Sequence, residues 1–155
     1  MASTLTGPMA AAATAPLVGS TAFGVPAKLV GYYTLAAALV INDVIQLLRV
    51  PPGAKVVDGK VVTCALDTAT AVVWDLGHGG DVDEYIDGSV KGRSSTYGVQ
   101  FFGENATCDW VTSGPLAISE TDEDTIDMKI ITAPTTSTTS GTIYLYCDLA
   151  PSGSY

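Results

Sequence analysis

The stretch from Asp43 to Gly88 constrains the fold more than any other part of the sequence. It holds three apolar runs rich in β-branched residues, which are separated by Pro51-Pro52-Gly53, by the segment 66–70 (LDTAT) and by the segment 77–81 (GHGGD). β-branched residues favour strands, whereas clusters of Pro, Gly and Asp favour turns. Short strands joined by turns are therefore expected here.

Alternation of apolar and polar residues predicts most of the other strands. It is clearest in two segments. In DTIDMKIITA, Ile126, Met128 and Ile130 are expected on one face of the strand, and in GTIYLYCDLA, Ile143, Leu145 and Cys147 are expected on one face of that strand. Strands are expected over residues 55–66, 71–76, 97–102, 109–111, 125–132 and 142–149, with residues 77–80 as a loop. Within the first of these, Asp58-Gly59 is either a hairpin turn or a bulge in one long strand.

The segment 29–50 has two interpretations. Its apolar residues fall at helical spacing, but Asn42-Asp43 interrupts the run and many of its residues are β-branched. Two short strands around a turn at Asn42-Asp43 are favoured over an amphipathic helix.

Seven to nine short strands without a confident helix predict an all-β fold, an antiparallel β-sandwich of jelly-roll type. A parallel sheet is not expected because no crossover helices are available. The chain is divided into an extended low-complexity N-terminal arm, residues 1–30, and a β-sandwich domain, residues 31–155.

The N-terminal arm is rich in Ala, Thr, Pro and Gly and has few large side chains. Fixing about 30 residues costs on the order of 30–60 kcal/mol. The arm has too few large side chains to recover that cost on its own domain. If the arm is ordered, a neighbouring subunit is therefore the expected source of the missing contacts.

Seven Lys and Arg residues against sixteen Asp and Glu residues give the chain a net charge of −9. So acidic a surface repels nucleic-acid phosphates and anionic membranes, and neither is expected as a partner. Charged residues make up 15% of the chain, below the roughly 25% usual in soluble domains. Two explanations remain open, a surface covered by other subunits and a monomer with a neutral polar coat.

Cys64, Cys108 and Cys147 are widely spaced and lie among apolar or β-branched neighbours. Buried reduced thiols are favoured over one disulfide plus a free thiol, and no CxxC pair supports a zinc site. No apolar run is long enough to span a bilayer, and the absence of a basic residue before Lys28 does not fit a secretory signal.

The residues most suited to chemistry lie in the same central stretch. His78 in its Gly-rich segment is interpreted as an exposed loop residue, because no serine or cysteine elbow accompanies it. The carboxylates of Asp75, Asp81, Asp83 and Asp87 suit Ca²⁺, but their spacing does not match an EF-hand loop, and solvated turn residues are favoured. The acidic run 120–124 is interpreted as a solvated loop.

Several aromatic residues could line a carbohydrate platform, although packing roles are favoured. They are Tyr32, Tyr33, Trp74, Trp110, Tyr144 and Tyr146. We therefore assign no catalytic, cofactor-binding or metal-binding residue and no cofactor, and the chain is not expected to be an enzyme.

Residues 33–88 resemble small virion structural proteins of tailed bacteriophages. The resemblance rests on TLAAALVINDVIQLLRVPPGAKV, on DLGHGGDVDEYIDGS and on the closing strands DEDTIDMKIITAP and GTIYLYCDL. Size and the all-β pattern are most similar to head decoration (cement) proteins. The long Ala- and Pro-rich arm, His78 and the cysteines depart from that pattern.

The resemblance implies a non-enzymatic protein that binds the outside of the assembled head and stabilises the capsid. It implies the major capsid protein as partner, a homotrimer, and a location on the outer surface of the virion. The alternative is a receptor- or glycan-binding β-sandwich module of a phage tail or fibre.

Overall fold

The computed structural model describes residues 1–11, 27–104, 108 and 122–150. Within these ranges the chain forms nine strands and no helix. They are β1 (Thr4–Thr6), β2 (Ala27–Thr34), β3 (Val44–Val50), β4 (Lys55–Thr63), β5 (Val73–His78), β6 (Asp81–Ser89), β7 (Gly98–Phe101), β8 (Asp124–Thr132) and β9 (Thr142–Ala150).

The strands form two sheets, one of five strands in the order β1-β3-β8-β5-β6 and one of four in the order β2-β9-β4-β7. All pairs are antiparallel except β1 with β3. The predicted all-β, antiparallel fold is confirmed, and the strand order is compatible with the jelly-roll type. None of the described residues forms a helix of the length and apolarity that crossing a membrane would need.

The core lies between the two sheets, and the alternating segments supply much of it. Ile126, Met128 and Ile130 of β8 are fully buried, while the residues between them are half-buried. In β9 the predicted inward residues Ile143, Leu145 and Cys147 are also buried. The predicted faces of both strands are confirmed, because period-two alternation places every second side chain on one side of a sheet.

The interpretation of residues 29–50 as two strands is confirmed. β2 and β3 flank a loop over residues 35–43, and the turn in it places Asn42 at a φ of 66°. The buried Asp43 carboxylate closes this turn by accepting a hydrogen bond of 2.8 Å from the Val40 N–H. Asn and Asp stabilise such turns through local side-chain hydrogen bonds.

The two alternatives for Asp58-Gly59 are resolved in favour of a bulge. β4 is continuous, and its register against β9 shifts between Val56 and Asp58. The buried residues of β4 are Val56 before the bulge and Val61 and Thr63 after it, so the alternation of buried and exposed residues is interrupted at the bulge.

Residues 77–81 depart most from the prediction. Gly77 and His78 are the end of β5, so the expected loop over 77–80 is wrong, and the turn is confined to Gly79-Gly80. The strand β6, Asp81–Ser89, was not predicted. Gly77 suits this site because a Cβ there would lie 2.0 Å from the Asp81 carbonyl oxygen.

The buried carboxylate of Asp67 joins two loops at one end of the sandwich. It accepts hydrogen bonds of 2.9–3.3 Å from the N–H groups of Ala69, Ala71, Val72, Thr135 and Thr136. Burial on its own raises the pKa of Asp67, but these backbone donors outweigh it and lower the pKa to about 2. The segment after β4 and the segment before β9 therefore depend on one side chain.

The division at residue 30 stays a prediction, although parts of the arm are described. Residues 4–6 form β1 at the edge of the five-stranded sheet, and β2 already begins at Ala27. The expected strand 109–111, Trp110 and part of the acidic run 120–124 lie outside the described residues.

Candidate interaction surface

The outer face of the four-stranded sheet carries a continuous set of aromatic and aliphatic side chains. One row across the strands is Val30, Tyr146, Lys60 and Phe101, and the next is Tyr32, Tyr144, Val62 and Val99. We call these eight residues the aromatic face. They meet because each strand turns alternate residues outward and the four strands share one register.

The side chains of the aromatic face contact one another closely enough to act as one surface. The ring of Tyr144 lies 6.3 Å from that of Tyr32 and 6.4 Å from that of Tyr146, measured between centroids. Lys60 Nζ lies 5.4 Å from the Tyr146 centroid and 5.7 Å from the Phe101 centroid, within cation–π range. These contacts order side chains that remain accessible to a partner.

The aromatic face is large for a solvent-exposed surface. Its six most exposed apolar side chains are between 37% and 52% exposed. Since a fully buried aromatic residue covers 150–250 Å², they offer on the order of 500 Å² of accessible area. Apolar patches of that size commonly mark interaction sites, and a standard interface buries roughly 800 Å² per partner.

A shallow pocket of about 210 Å³ lies at one end of the aromatic face. Phe101 and Tyr146 contribute rings to it, and Lys28, Asp58, Lys60 and Asp148 contribute charges. Lys28 Nζ donates to Asp148 Oδ2 at 2.7 Å, and this hydrogen bond raises the pKa of Lys28. Two cations and two carboxylates leave this part of an acidic protein without net charge, so a partner meets no electrostatic barrier here.

The aromatic residues that the sequence suggested for a carbohydrate platform fall into a surface group and a buried group. Tyr32, Tyr144 and Tyr146 lie on the aromatic face, while Tyr33 packs against the core. Trp74 is fully buried and donates a 2.9 Å hydrogen bond to the Lys91 carbonyl, so it takes no part in a surface platform. Val30, Lys60, Val99 and Phe101 were not predicted; their alternation with buried residues was the available signal.

His78 is not the exposed loop residue expected, because β5 places it between β6 and β8. Its side chain is 13% exposed, with Nε2 3.0 Å from Glu84 Oε2 and Nδ1 3.3 Å from Asp124 Oδ2. The Gly80 N–H also lies 3.1 Å from Nδ1. Neutral imidazole accepts from the Gly80 N–H, whereas imidazolium places its positive charge beside both carboxylates.

The charged form of His78 is the one that its neighbours favour. The close contact of Nε2 with Glu84 raises the pKa of His78, burial lowers it, and the charges of Glu84 and Asp124 raise it further, so that the result lies above 6.5. Nearby Asp127 has its pKa raised to about 6, chiefly by burial, while the charge of His78 lowers it. The two carboxylates therefore favour the charged, ion-paired form of His78 between the strands.

We expect His78→Gln to remove a stabilising contribution that depends on pH. Because folding raises the pKa of His78, its protonated form stabilises the folded state. This stabilisation is fully present below the unfolded pKa of 6.5 and is lost as pH rises through the folded pKa. Native protein should exceed the variant in unfolding free energy by about 1 kcal/mol at pH 6 and by much less at pH 9. Urea titrations of both proteins at each pH measure this, and an equal difference at the two values would contradict it.

The four aspartates considered for Ca²⁺ do not lie in a turn. Asp75 lies on β5 and the other three, Asp81, Asp83 and Asp87, lie on β6. Asp75 is 7% exposed and accepts a 2.7 Å hydrogen bond from the Gly88 N–H, while burial raises the pKa of its carboxyl. Among the described residues no three His, Cys, Asp or Glu side chains converge as metal ligands would. The sequence-based assignment of no metal-binding residue stays a prediction.

The three cysteines are buried and reduced, as predicted. Burial raises the pKa of the Cys64 and Cys147 thiols, which disfavours the thiolate form. Reactive-thiol chemistry is therefore not favoured at either residue.

Comparisons with known proteins relate this chain to others by structure alone. No protein-family model matches it, and no curated protein sequence does. A chain from the capsid of Ralstonia phage GP4 has a TM-score of 0.70 at 21% identity, with 89% of this chain and 90% of that chain covered. A chain from the capsid asymmetric unit of cyanophage Pam1 has a TM-score of 0.63 at 17% identity, with 93% and 99% covered. The similarity establishes a shared fold.

Proposed function

We propose that this protein is a decoration (cement) protein of a tailed bacteriophage, which binds the outside of the assembled head and stabilises it. Its partner is the major capsid protein, its oligomeric state is a homotrimer, and its location is the outer surface of the virion. The protein is structural and has no catalytic activity.

The observation that carries this proposal is the fold similarity to chains of two phage capsids, which extends over nearly the whole length of each chain. The aromatic face supplies a surface for such an assembly, because on an otherwise acidic protein it offers a large apolar area beside a pocket whose two cations and two carboxylates balance. A low content of charged residues is in keeping with extensive burial between subunits.

In this account the aromatic face packs on the capsid shell, and the arm adds contacts beyond it. Removal of residues 2–26 leaves β2 intact, since that strand begins at Ala27. We expect the truncated protein to keep a β-rich circular dichroism spectrum and to bind capsids about tenfold more weakly, a loss of about 1.4 kcal/mol. Co-sedimentation with capsids assembled without the protein measures this, and undiminished binding would exclude a role for the arm.

A glycan-binding module of a tail or fibre is the second candidate, and the pocket at the end of the aromatic face favours it. Two aromatic rings beside Lys and Asp side chains offer both a flat apolar surface and hydrogen-bonding groups. Specific binding to a sugar on a glycan array, lost on Phe101→Ala and without any capsid binding, would support this function over decoration.

A further inference from the structure

The N-terminal residues 3–7 are held against the body of the protein by a compact set of contacts. The segment pairs in parallel with β3 in the register Thr4 with Val44, Leu5 with Ile45 and Thr6 with Gln46. The Val44 N–H donates to the Ser3 carbonyl at 3.0 Å, and the Gly7 N–H donates to the Gln46 carbonyl at 2.8 Å. Every acceptor and donor on the body comes from residues 43–46.

A buried carboxylate fixes the end of this segment. Asp43 is 2% exposed, and its Oδ1 accepts hydrogen bonds from the Ser3 N–H at 2.8 Å and the Ser3 hydroxyl at 3.0 Å. The segment also requires glycine at residue 7, where a Cβ would lie 2.2 Å from the Tyr32 carbonyl oxygen and 3.0 Å from that of Gln46. The edge of β3 is therefore a shaped receptor for residues 3–7.

The connection from β1 to the next strand of the chain, β2, is long. Residues 8–26 join the docked segment to β2, and nineteen residues can extend to roughly 60 Å, whereas the two sheets of a sandwich lie about 10 Å apart. No charged side chain precedes Lys28, so this part of the chain can approach a second copy of charge −9 without repulsion.

β1 is also the strand most easily released. It is three residues long, pairs with β3 alone among the described strands, and its residues are exposed or half-buried, with Leu5 packed against the core. Short elements with few buried contacts open at low free-energy cost, and opening here leaves an unpaired strand edge, which favours the docking of another strand.

We propose that β1 is an exchangeable strand, and that in the oligomer residues 3–7 of one copy dock on the β3 edge and Asp43 of a second copy. The contacts are chemically identical within and between chains, which is the condition for exchange of an element between protomers. Exchange links the copies to one another, and it takes place whether or not the protein binds a capsid.

Two variants, each with one added cysteine, test the exchange. The Thr6 hydroxyl lies 3.1 Å from Gln46 Oε1, so cysteines at these residues face each other across the strand pair. Thr6→Cys and Gln46→Cys chains with different tags are refolded together, oxidised mildly and digested for mass spectrometry. We expect a disulfide that joins the residue 6 peptide of one tag to the residue 46 peptide of the other. The native chain, with its three buried thiols, is the control for background oxidation.

The double variant, Thr6→Cys with Gln46→Cys, distinguishes docking of residues 3–7 within one chain from docking on a second copy. We expect covalent oligomers whose share rises with protein concentration. A disulfide confined to single chains at every concentration, with no mixed-tag peptide, would overturn the exchange, and so would the absence of any 6–46 disulfide. Adding Gly7→Val should reduce the interchain disulfide about tenfold, whereas Thr4→Ala, an exposed position in the same strand, should leave it unchanged.

Discussion

Tyr146→Asp is expected to weaken capsid binding strongly while the protein stays folded. Tyr146 lies at the centre of the aromatic face, 6.4 Å from the Tyr144 ring and 5.4 Å from Lys60 Nζ. In an interface this position would be desolvated, and a carboxylate there would be buried among apolar groups. Central aromatic residues carry much of the binding energy, so we expect affinity to fall by about 100-fold or more, or about 3 kcal/mol.

The matched control for this prediction is Ile41→Asp. Ile41 is an exposed apolar residue in the turn before β3, away from the aromatic face, and the substitution adds the same charge. Co-sedimentation of both variants with capsids measures binding, and circular dichroism with thermal melting checks the fold. Equal binding by Tyr146→Asp and native protein, or an equal loss in Ile41→Asp, would contradict a role for the aromatic face.

Asp67→Ala is expected to destabilise the fold more than any surface substitution. The change leaves five backbone N–H groups without their shared acceptor at the junction of two loops. Since each buried donor left unpaired costs about 1–3 kcal/mol and some will find water, we expect a loss of at least about 3 kcal/mol in unfolding free energy. Urea denaturation followed by Trp fluorescence measures it, because Trp74 is fully buried.

Asp67→Asn is a milder substitution at the same residue. The amide keeps one acceptor oxygen and loses the charge, so its stability should lie between those of native protein and Asp67→Ala. Because the pKa of Asp67 is lowered, its contribution is present above pH 3.8 and declines as pH falls toward about 2. The gap between native protein and Asp67→Asn should therefore narrow at low pH, and a constant gap would contradict this role.

The parts of the fold that could be predicted are those where alternation is undisturbed. β8 follows the period-two pattern from Ile126 to Ile130 and β9 from Ile143 to Leu149, and their inward residues are those expected. β6 does not, because its register against β5 shifts twice and Glu84, Tyr85 and Ile86 are buried in succession. Bulges remove the pattern from which a strand is predicted, and the Asp and Gly residues of β6 then suggest a turn.

The aromatic face could be predicted only strand by strand. The sequence indicates that Tyr144 and Tyr146 lie on one side of β9, but it does not indicate that β2 and β4 flank that strand. Neighbours in this sheet are far apart in the chain, as Val30 and Tyr146 are, and their pairing is set by the packing of the whole sandwich. The ion pairs of His78 depend in the same way on strand pairing. Asp124 belongs to β8, which pairs with β5 in the sheet although it is distant from β5 in the chain.

The most direct test is a cryo-EM map of phage heads that carry the protein. We expect density for this chain on the outer surface of the shell, with the four-stranded sheet turned so that Tyr32, Phe101, Tyr144 and Tyr146 contact the major capsid protein. A chain located in the tail, or one on the head whose aromatic face is turned toward solvent, would contradict the account.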